Sequence, residues 1–325
     1  MDGKQKLLEI NNMHVSFPVG NEVVRAVNGV SLTLETGESL GIVGESGCGK
    51  SVTFNAVMRL LKSPPAVIEG EVVLNGRDLL KLTEKQMRKV RGKEAAMIFQ
   101  EPMRSLNPVM RAGDQIIEAL VWHEQMTKGQ AKARALELFE MVEIPDPKSR
   151  LQSYPHQLSG GLRQRVMIAI ALACNPLVMI ADEPTTALDV TIQAQILDLL
   201  KRLQKETGMS IIMITHDMGI VADIVDNVAV FYAGSIVEKA DKYAIFQRPM
   251  HPYTAGLLGC IPTLATEHER LPVIEGSLPN PAELPTGCAF STRCAFAADI
   301  CREERPPLTE REPGRVCACH FARGS

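Results

Sequence analysis

No stretch of this 325-residue chain stays apolar for long. The longest run, Val166 to Cys174, falls well short of the roughly 18 residues that cross a bilayer, so work at a membrane would need another chain to do the spanning. An excess of one charge is missing too: 35 Lys and Arg stand against 38 Asp and Glu, for a formal net charge of -3 and a pI near 6.2. With no long block of like charges either, a general attraction for nucleic acid or anionic lipid is excluded. Met1-Asp2-Gly3-Lys4 lacks the basic, apolar, small-residue succession of a secretory signal, so secretion is not expected. No internal repeat is present. Without an export signal, the eight cysteines read as thiols or metal ligands rather than a disulfide scaffold.

What is there is an apolar fraction of 45%, enough for a substantial core, in a length that suits two domains of unequal size. Residues 7–43 alternate in short apolar stretches broken by Pro18-Val19-Gly20 and Thr36-Gly37-Glu38, which predicts strands joined by turns. From residue 40 onward, strand, glycine loop and helix follow one another, with further buried-strand candidates at Ala96 to Phe99, Leu177 to Ala181 and Ile211 to Thr215. That succession predicts a parallel α/β sheet. Glu84 to Lys93 and Asp114 to Val142 read as helices inserted into this core. Ile192, Ile196, Leu199, Leu200 and Leu203 share one helical face before Gly208. Beyond residue 262 a run of prolines (Pro262, Pro272, Pro279, Pro281, Pro285) breaks any long element, which puts a domain boundary between 1–262 and 263–325.

The segment Gly44-Glu45-Ser46-Gly47-Cys48-Gly49-Lys50-Ser51 fits G-x-x-x-x-G-K-[ST], with a strand (Leu40 to Val43) before it and helical spacing (Phe54, Val57, Met58, Leu61) after it. Glycines let the backbone curl so that its N–H groups face phosphate oxygens, and the following helix, opening through Ser51 and Val52, adds its positive end. Lys50 is expected on the β and γ phosphates and the Ser51 hydroxyl on Mg²⁺. Cys48 reads as a small loop residue. Leu177 to Ala181 is an apolar strand delivering Asp182 and Glu183 at its C-terminal end. Asp182 suits magnesium and Glu183 suits the general base that polarises an attacking water. Alone, this acidic pair would read as the start of a solvated loop; beside a phosphate loop the functional reading wins.

Leu158-Ser159-Gly160-Gly161-Leu162-Arg163-Gln164-Arg165 resembles the signature motif of ABC ATPases and sits upstream of Asp182-Glu183 at that family's usual distance. Ser159 also suits a helix cap, with Gly160 and Gly161 opening the helix. Leu162 stands where Gln is commoner, a variant seen among peptide importers. The resemblance extends to Gln100 as the Q-loop residue that senses magnesium and water, Ala187-Leu188-Asp189 as the D-loop, and His216 as the switch histidine on the γ-phosphate. Phe17 is either the A-loop aromatic that stacks on adenine or a core strand residue. His251-Pro252-Tyr253-Thr254-Ala255-Gly256-Leu257-Leu258 resembles the motif that closes the cassette in oligopeptide and dipeptide permease ATPases.

The resemblance implies the P-loop ABC ATPase fold: a parallel-sheet core, an N-terminal antiparallel β subdomain, a helical insertion with the signature region over about 103–170, and a small cysteine-containing C-terminal segment. It further implies an ATP-hydrolysing subunit of a membrane importer, working as a head-to-tail pair of cassettes. Its partners would be two transmembrane permease subunits, a second ATP-binding subunit (a paralogue or an identical chain) and, indirectly, an extracytoplasmic substrate-binding protein. The site would be the cytoplasmic face of the inner membrane, held peripherally. Peptides are the expected cargo, with nickel or another small solute as the alternative; an ABC ATPase acting on nucleic acid would carry two cassettes or a long coiled coil, and no basic patch is present.

Cys288, Cys294, Cys301 and Cys319 have five, six and seventeen residues between them, in a segment too poor in apolar residues to fold well unaided. In several peptide importers of the resembling group the matching cysteines hold a four-iron four-sulfur cluster, which this set is expected to bind as a structural staple. Zinc is the alternative, with His320 a further ligand and the wide first spacing against it. Cys317 can replace Cys319, and unliganded thiols are the third reading.

Overall fold

The structure, a computed structural model, describes residues 5–186, 188–261 and 273–322. Two long strands, β1 (Lys6–Val19) and β2 (Glu22–Glu35), open the chain, followed by β3 (Ser39–Val43), helix α1 (Lys50–Val57), β4 (Val67–Leu74) and the short β5 (Arg77–Asp78). The order β2-β1-β4-β5 is an antiparallel sheet. Along β1 Leu8 and Ile10, with Leu7 beside them, are buried, and then Met13 and Val15. A strict alternation would have sent Met13 and Val15 to the outer face; an irregularity between Ile10 and Met13, with Asn12 at φ 47°, inserts the extra residue that restores them.

Residues 81–212 form a compact unit of their own. It runs α2 (Glu84–Val90), β6 (Ala95–Ile98), α3 (Pro102–Ser105), α4 (Ala112–Glu124), α5 (Lys128–Met141), α6 (Pro147–Arg150), α7 (Gly160–Leu172), β7 (Val178–Asp182) and α8 (Val190–Thr207), with β8 (Ser210–Thr215) running out through its end. Strands β6 and β7 pair in parallel, Ala95 opposite Val178 and Ile98 opposite Ala181. Asp114 to Val142, expected as one helical stretch, is two helices. Gln125 ends α4 in the left-handed conformation, and Thr127 and Gln130 form a capping box that starts α5. Helix α8 is amphipathic as expected, burying Ile196, Leu199, Leu200 and Leu203 and ending at Gly208 with φ 70°.

After β8 come α9 (Met218–Ile224), β9 (Asn227–Tyr232), β10 (Ser235–Asp241), α10 (Lys242–Gln247), α11 (Pro252–Gly259), α12 (Asp299–Glu303), β11 (Thr309–Glu312) and β12 (Arg315–Cys317). These belong to the same compact unit as residues 5–80. Within it β3 runs parallel to β9, Leu40 opposite Asn227 and Val43 opposite Val230, and β10, β12 and β11 continue antiparallel from β9. The α/β class with a parallel sheet and an N-terminal antiparallel sheet is therefore present as the sequence predicts. The boundary expected at 262 falls outside the described residues, as do Ala187 and 323–325.

Candidate functional site

Strand β3 is buried at every position and delivers the chain into the loop Gly44 to Ser51. Gly44, Gly47 and Gly49 take φ values of 152°, 81° and 103°, which β-carbon-bearing residues rarely adopt. Space also demands glycine at two of them: a Cβ on Gly44 would stand 2.3 Å from the Phe231 carbonyl oxygen, and one on Gly49 2.5 Å from that of Ala26. Lys50 is buried, and its Nζ donates to the carbonyls of Gly44 at 2.7 Å and Glu45 at 2.9 Å, closing the loop on itself. The Thr53 hydroxyl donates to Gly49 O at 2.9 Å. No side chain caps α1 at Gly49, so the positive end of the helix is open to an anion. Cys48 is buried behind the loop, where desolvation pushes its thiol pKa up, in keeping with a packing role. Ser46 is exposed, while Ser51 and Val52 are half-buried at the helix start.

The loop is gripped by two residues whose contact with it no sequence motif indicates. Tyr253, at the start of α11, accepts the Glu45 N–H on its hydroxyl at 3.0 Å. Arg293, from the C-terminal segment, donates from Nη1 to both carboxylate oxygens of Glu45, at 2.9 and 3.1 Å. These partners lie 208 and 248 positions from Glu45, and no local spacing announces them.

In the other unit, β7 is buried throughout and ends on Asp182, which is 7% exposed. Glu183 follows at φ 47°, a sparsely populated conformation for a residue with a side chain, of the kind that concentrates at functional sites. Its Oε2 accepts from Gln100 Nε2 at 2.7 Å and from the Thr186 hydroxyl at 2.9 Å. The structure thus brings together Gln100 and Glu183, which the sequence places 83 positions apart, and adds Thr186, which the sequence reading did not single out. A carboxylate aimed by two neutral donors has its lone pairs fixed in direction, as a general base requires.

Ser159 caps α7, accepting from Leu162 N–H at 3.4 Å, and Asp189 caps α8, accepting from Ile192 N–H at 2.9 Å. Leu188 is half-buried beside it. His216 is exposed in the turn between β8 and α9. Phe17 is half-buried on β1, opposite Val24 of β2.

Residues 27–186 match the ABC transporter family, and residues 237–301 match the C-terminal region of oligopeptide/dipeptide transporters. The oligopeptide transport ATP-binding protein OppD of Bacillus subtilis is 53% identical over 305 residues, 93% of this chain and 85% of the relative. This chain belongs to the ABC transporter family, in its oligopeptide/dipeptide group. Other members of the group similar to this ABC protein include the dipeptide transport ATP-binding protein DppD of Escherichia coli, 48% identical over 97% of the chain and 96% of the relative. Among solved structures, the ATP-binding cassette MJ0796, dimeric in a post-hydrolysis state with ADP and Pi, superposes at a TM-score of 0.66. That match has 30% identity and covers 73% of this ABC chain and 99% of its counterpart. Among the described residues no helix is long and apolar enough to cross a membrane.

The iron–sulfur expectation is corrected here, and the zinc alternative with it. Cys288, Cys294, Cys301 and Cys319 do line one cavity of about 520 Å³, together with His320, Phe290 and Phe296, whereas Cys317 does not line it. Yet among the described residues no three His, Cys, Asp or Glu side chains are placed to hold a metal ion together. Burial raises the thiol pKa at Cys288, Cys294, Cys317 and Cys319. The staple that the segment requires is supplied otherwise. Phe290 packs in a ring cluster, its centroid 5.2 Å from Tyr232 and 5.4 Å from Tyr253. Strand β12 pairs with β10, the Cys288 N–H donates to Cys301 O at 2.8 Å, and Arg293 binds the phosphate loop.

Proposed function

We propose that this chain is the ATP-hydrolysing subunit of an ABC importer that takes up dipeptides or oligopeptides. The observation that carries the reading is the Gln100–Glu183 hydrogen bond at a strained strand end, in a chain that also holds the closed phosphate loop of Gly44 to Ser51. Relatives named for oligopeptide and dipeptide transport favour peptides over nickel or another small solute as cargo.

On this reading Gly44, Glu45, Ser46, Gly47, Cys48, Gly49, Lys50, Ser51 and Val52 form the phosphate cradle, with Phe17 stacking on adenine. Lys50 exchanges the Gly44 and Glu45 carbonyls for β- and γ-phosphate oxygens, a swap of neutral acceptors for charged ones that favours the bound state. Ser51, Asp182 and Gln100 carry the hydroxyl, carboxylate and amide oxygens that suit a hard cation, and they are the residues that would hold magnesium. Bound magnesium neutralises phosphate charge. Glu183 takes the proton of the attacking water, and His216 donates to the γ-phosphate, so catalysis is positioning plus charge stabilisation. Ser159, Gly160 and Gly161 grip the γ-phosphate of ATP bound to a second cassette, identical or paralogous, with Asp189 at that interface. Residues 1–262 are the nucleotide-binding domain and 263–325 the peptide-importer extension. Two membrane permease subunits complete the machine at the cytoplasmic face of the inner membrane, with an extracytoplasmic binding protein presenting cargo.

Co-purification of the tagged chain from its own cell, followed by identification of the associated proteins, tests this reading. Two polytopic membrane proteins and ATPase activity in the eluate are expected; recovery with ribosomes or nucleic acid and no membrane protein would overturn it.

A further inference from the structure

Every polar group of Glu45, the second residue of the phosphate loop, is engaged within its own compact unit. Its N–H goes to the Tyr253 hydroxyl, its carbonyl to Lys50 Nζ and its carboxylate to Arg293. The Arg293 side chain is 4% exposed, whereas that of Glu45 is 30% exposed. The guanidinium is fixed from behind: Nε donates to Glu275 O at 2.9 Å, Nη2 to Ile274 O at 3.1 Å, and the group lies 5.8 Å from the centre of the Tyr232 ring. One arginine of the C-terminal segment therefore holds the loop, the stretch at Ile274 and Glu275, and the aromatic cluster at once.

A carboxylate in a phosphate-binding loop is an electrostatic liability, because it repels the polyanion that the loop exists to bind. The pairing removes that charge. It also leaves Glu45 anchored when Lys50 moves from the loop carbonyls to a ligand. We propose that Arg293 is a positioning residue for nucleotide binding: it neutralises and pins Glu45, so that the C-terminal segment sets the affinity of the phosphate loop. This rests on the reading of Gly44 to Ser51 as the ATP site.

The test is equilibrium binding of ATP with magnesium to the full chain, by calorimetry, at low and high salt, with a thermal melt on each variant. Arg293→Met weakens binding about tenfold, the effect of one uncompensated charge at short range, and the loss shrinks as salt screens it. Adding Glu45→Gln to Arg293→Met recovers most of that loss, because the repulsion has been removed; a bridge that served folding alone would not be rescued this way. Where Arg293→Met does not fold, Arg293→Lys carries the test: it keeps the charge on Glu45 while losing the carbonyl bonds, and it retains affinity within about threefold. Undiminished affinity in Arg293→Met, no rescue in the double variant, or a tenfold loss in Arg293→Lys overturns the proposal. Wild-type protein that fails to bind ATP overturns the functional reading itself, and the positioning role with it.

Discussion

Gln100 donates its side-chain amide to Glu183 at 2.7 Å, on the same carboxylate oxygen that takes the Thr186 hydroxyl at 2.9 Å. These two donors fix the direction in which the carboxylate of Glu183 points. Replacing Glu183 by Gln keeps the shape and removes the basicity. Steady-state ATPase activity should fall at least about a hundredfold while ATP binding stays within about threefold of wild type. Retention of wild-type turnover would remove Glu183 from its role.

Lys50 is buried and spends its ammonium on two loop carbonyls. Lys50→Met deletes both the phosphate contact and the internal closure of the loop. Charge-assisted hydrogen bonds of this kind contribute about 1.5–3 kcal/mol, so ATP affinity measured by calorimetry should drop roughly ten- to a hundredfold.

Gly49 combines φ 103° with an approach of 2.5 Å between a would-be Cβ and the Ala26 carbonyl oxygen. That neighbour is backbone and has little room to yield. Gly49→Ala therefore suffers both the left-handed penalty and the clash, about 3 kcal/mol together, read as a lower midpoint in urea unfolding.

His251 gives the fold an acid-sensitive point. It is 2% exposed, accepts the Tyr253 N–H on Nδ1 at 3.1 Å to cap α11, and burial lowers its pKa to about 4. Between that value and the ordinary 6.5 the unfolded chain binds the proton and the folded one does not, so stability falls as pH drops through this window and is fully present above it. From pH 7 to pH 5 the contribution lost is about 2 kcal/mol. Urea unfolding of wild type and His251→Asn at the two pH values should show the variant less acid-sensitive by that amount.

Most of the nucleotide machinery was legible because it is local: the loop, its strand and its helix lie within residues 39–57, and β7 carries Asp182 to its own end. Strands and the α8 face followed from hydrophobic period, where the burial of Ile196, Leu199, Leu200 and Leu203 matched the spacing. The split between α4 and α5 had a readable signal in Thr127-x-x-Gln130, a capping box in the middle of an apparently continuous amphipathic stretch. The grip of Tyr253 and Arg293 on Glu45 had none, because it joins distant segments through tertiary packing. The cysteine segment misled for a related reason. Four cysteines in an apolar-poor segment, matched to those of peptide importers, suggested a metal staple, while the stabilising contacts are Phe290 among the tyrosines and a strand pairing that composition does not reveal.

The central claim is that hydrolysis at this chain drives peptide uptake, and transport itself tests it most directly. The co-purified complex, reconstituted in proteoliposomes with its binding protein and a labelled dipeptide or oligopeptide, is assayed with ATP on the side this chain occupies. Uptake that requires ATP with the wild-type chain and falls to background with Glu183→Gln is the expected result. Peptide uptake unaffected by Glu183→Gln, or ATP hydrolysis without any peptide moving, would contradict the account.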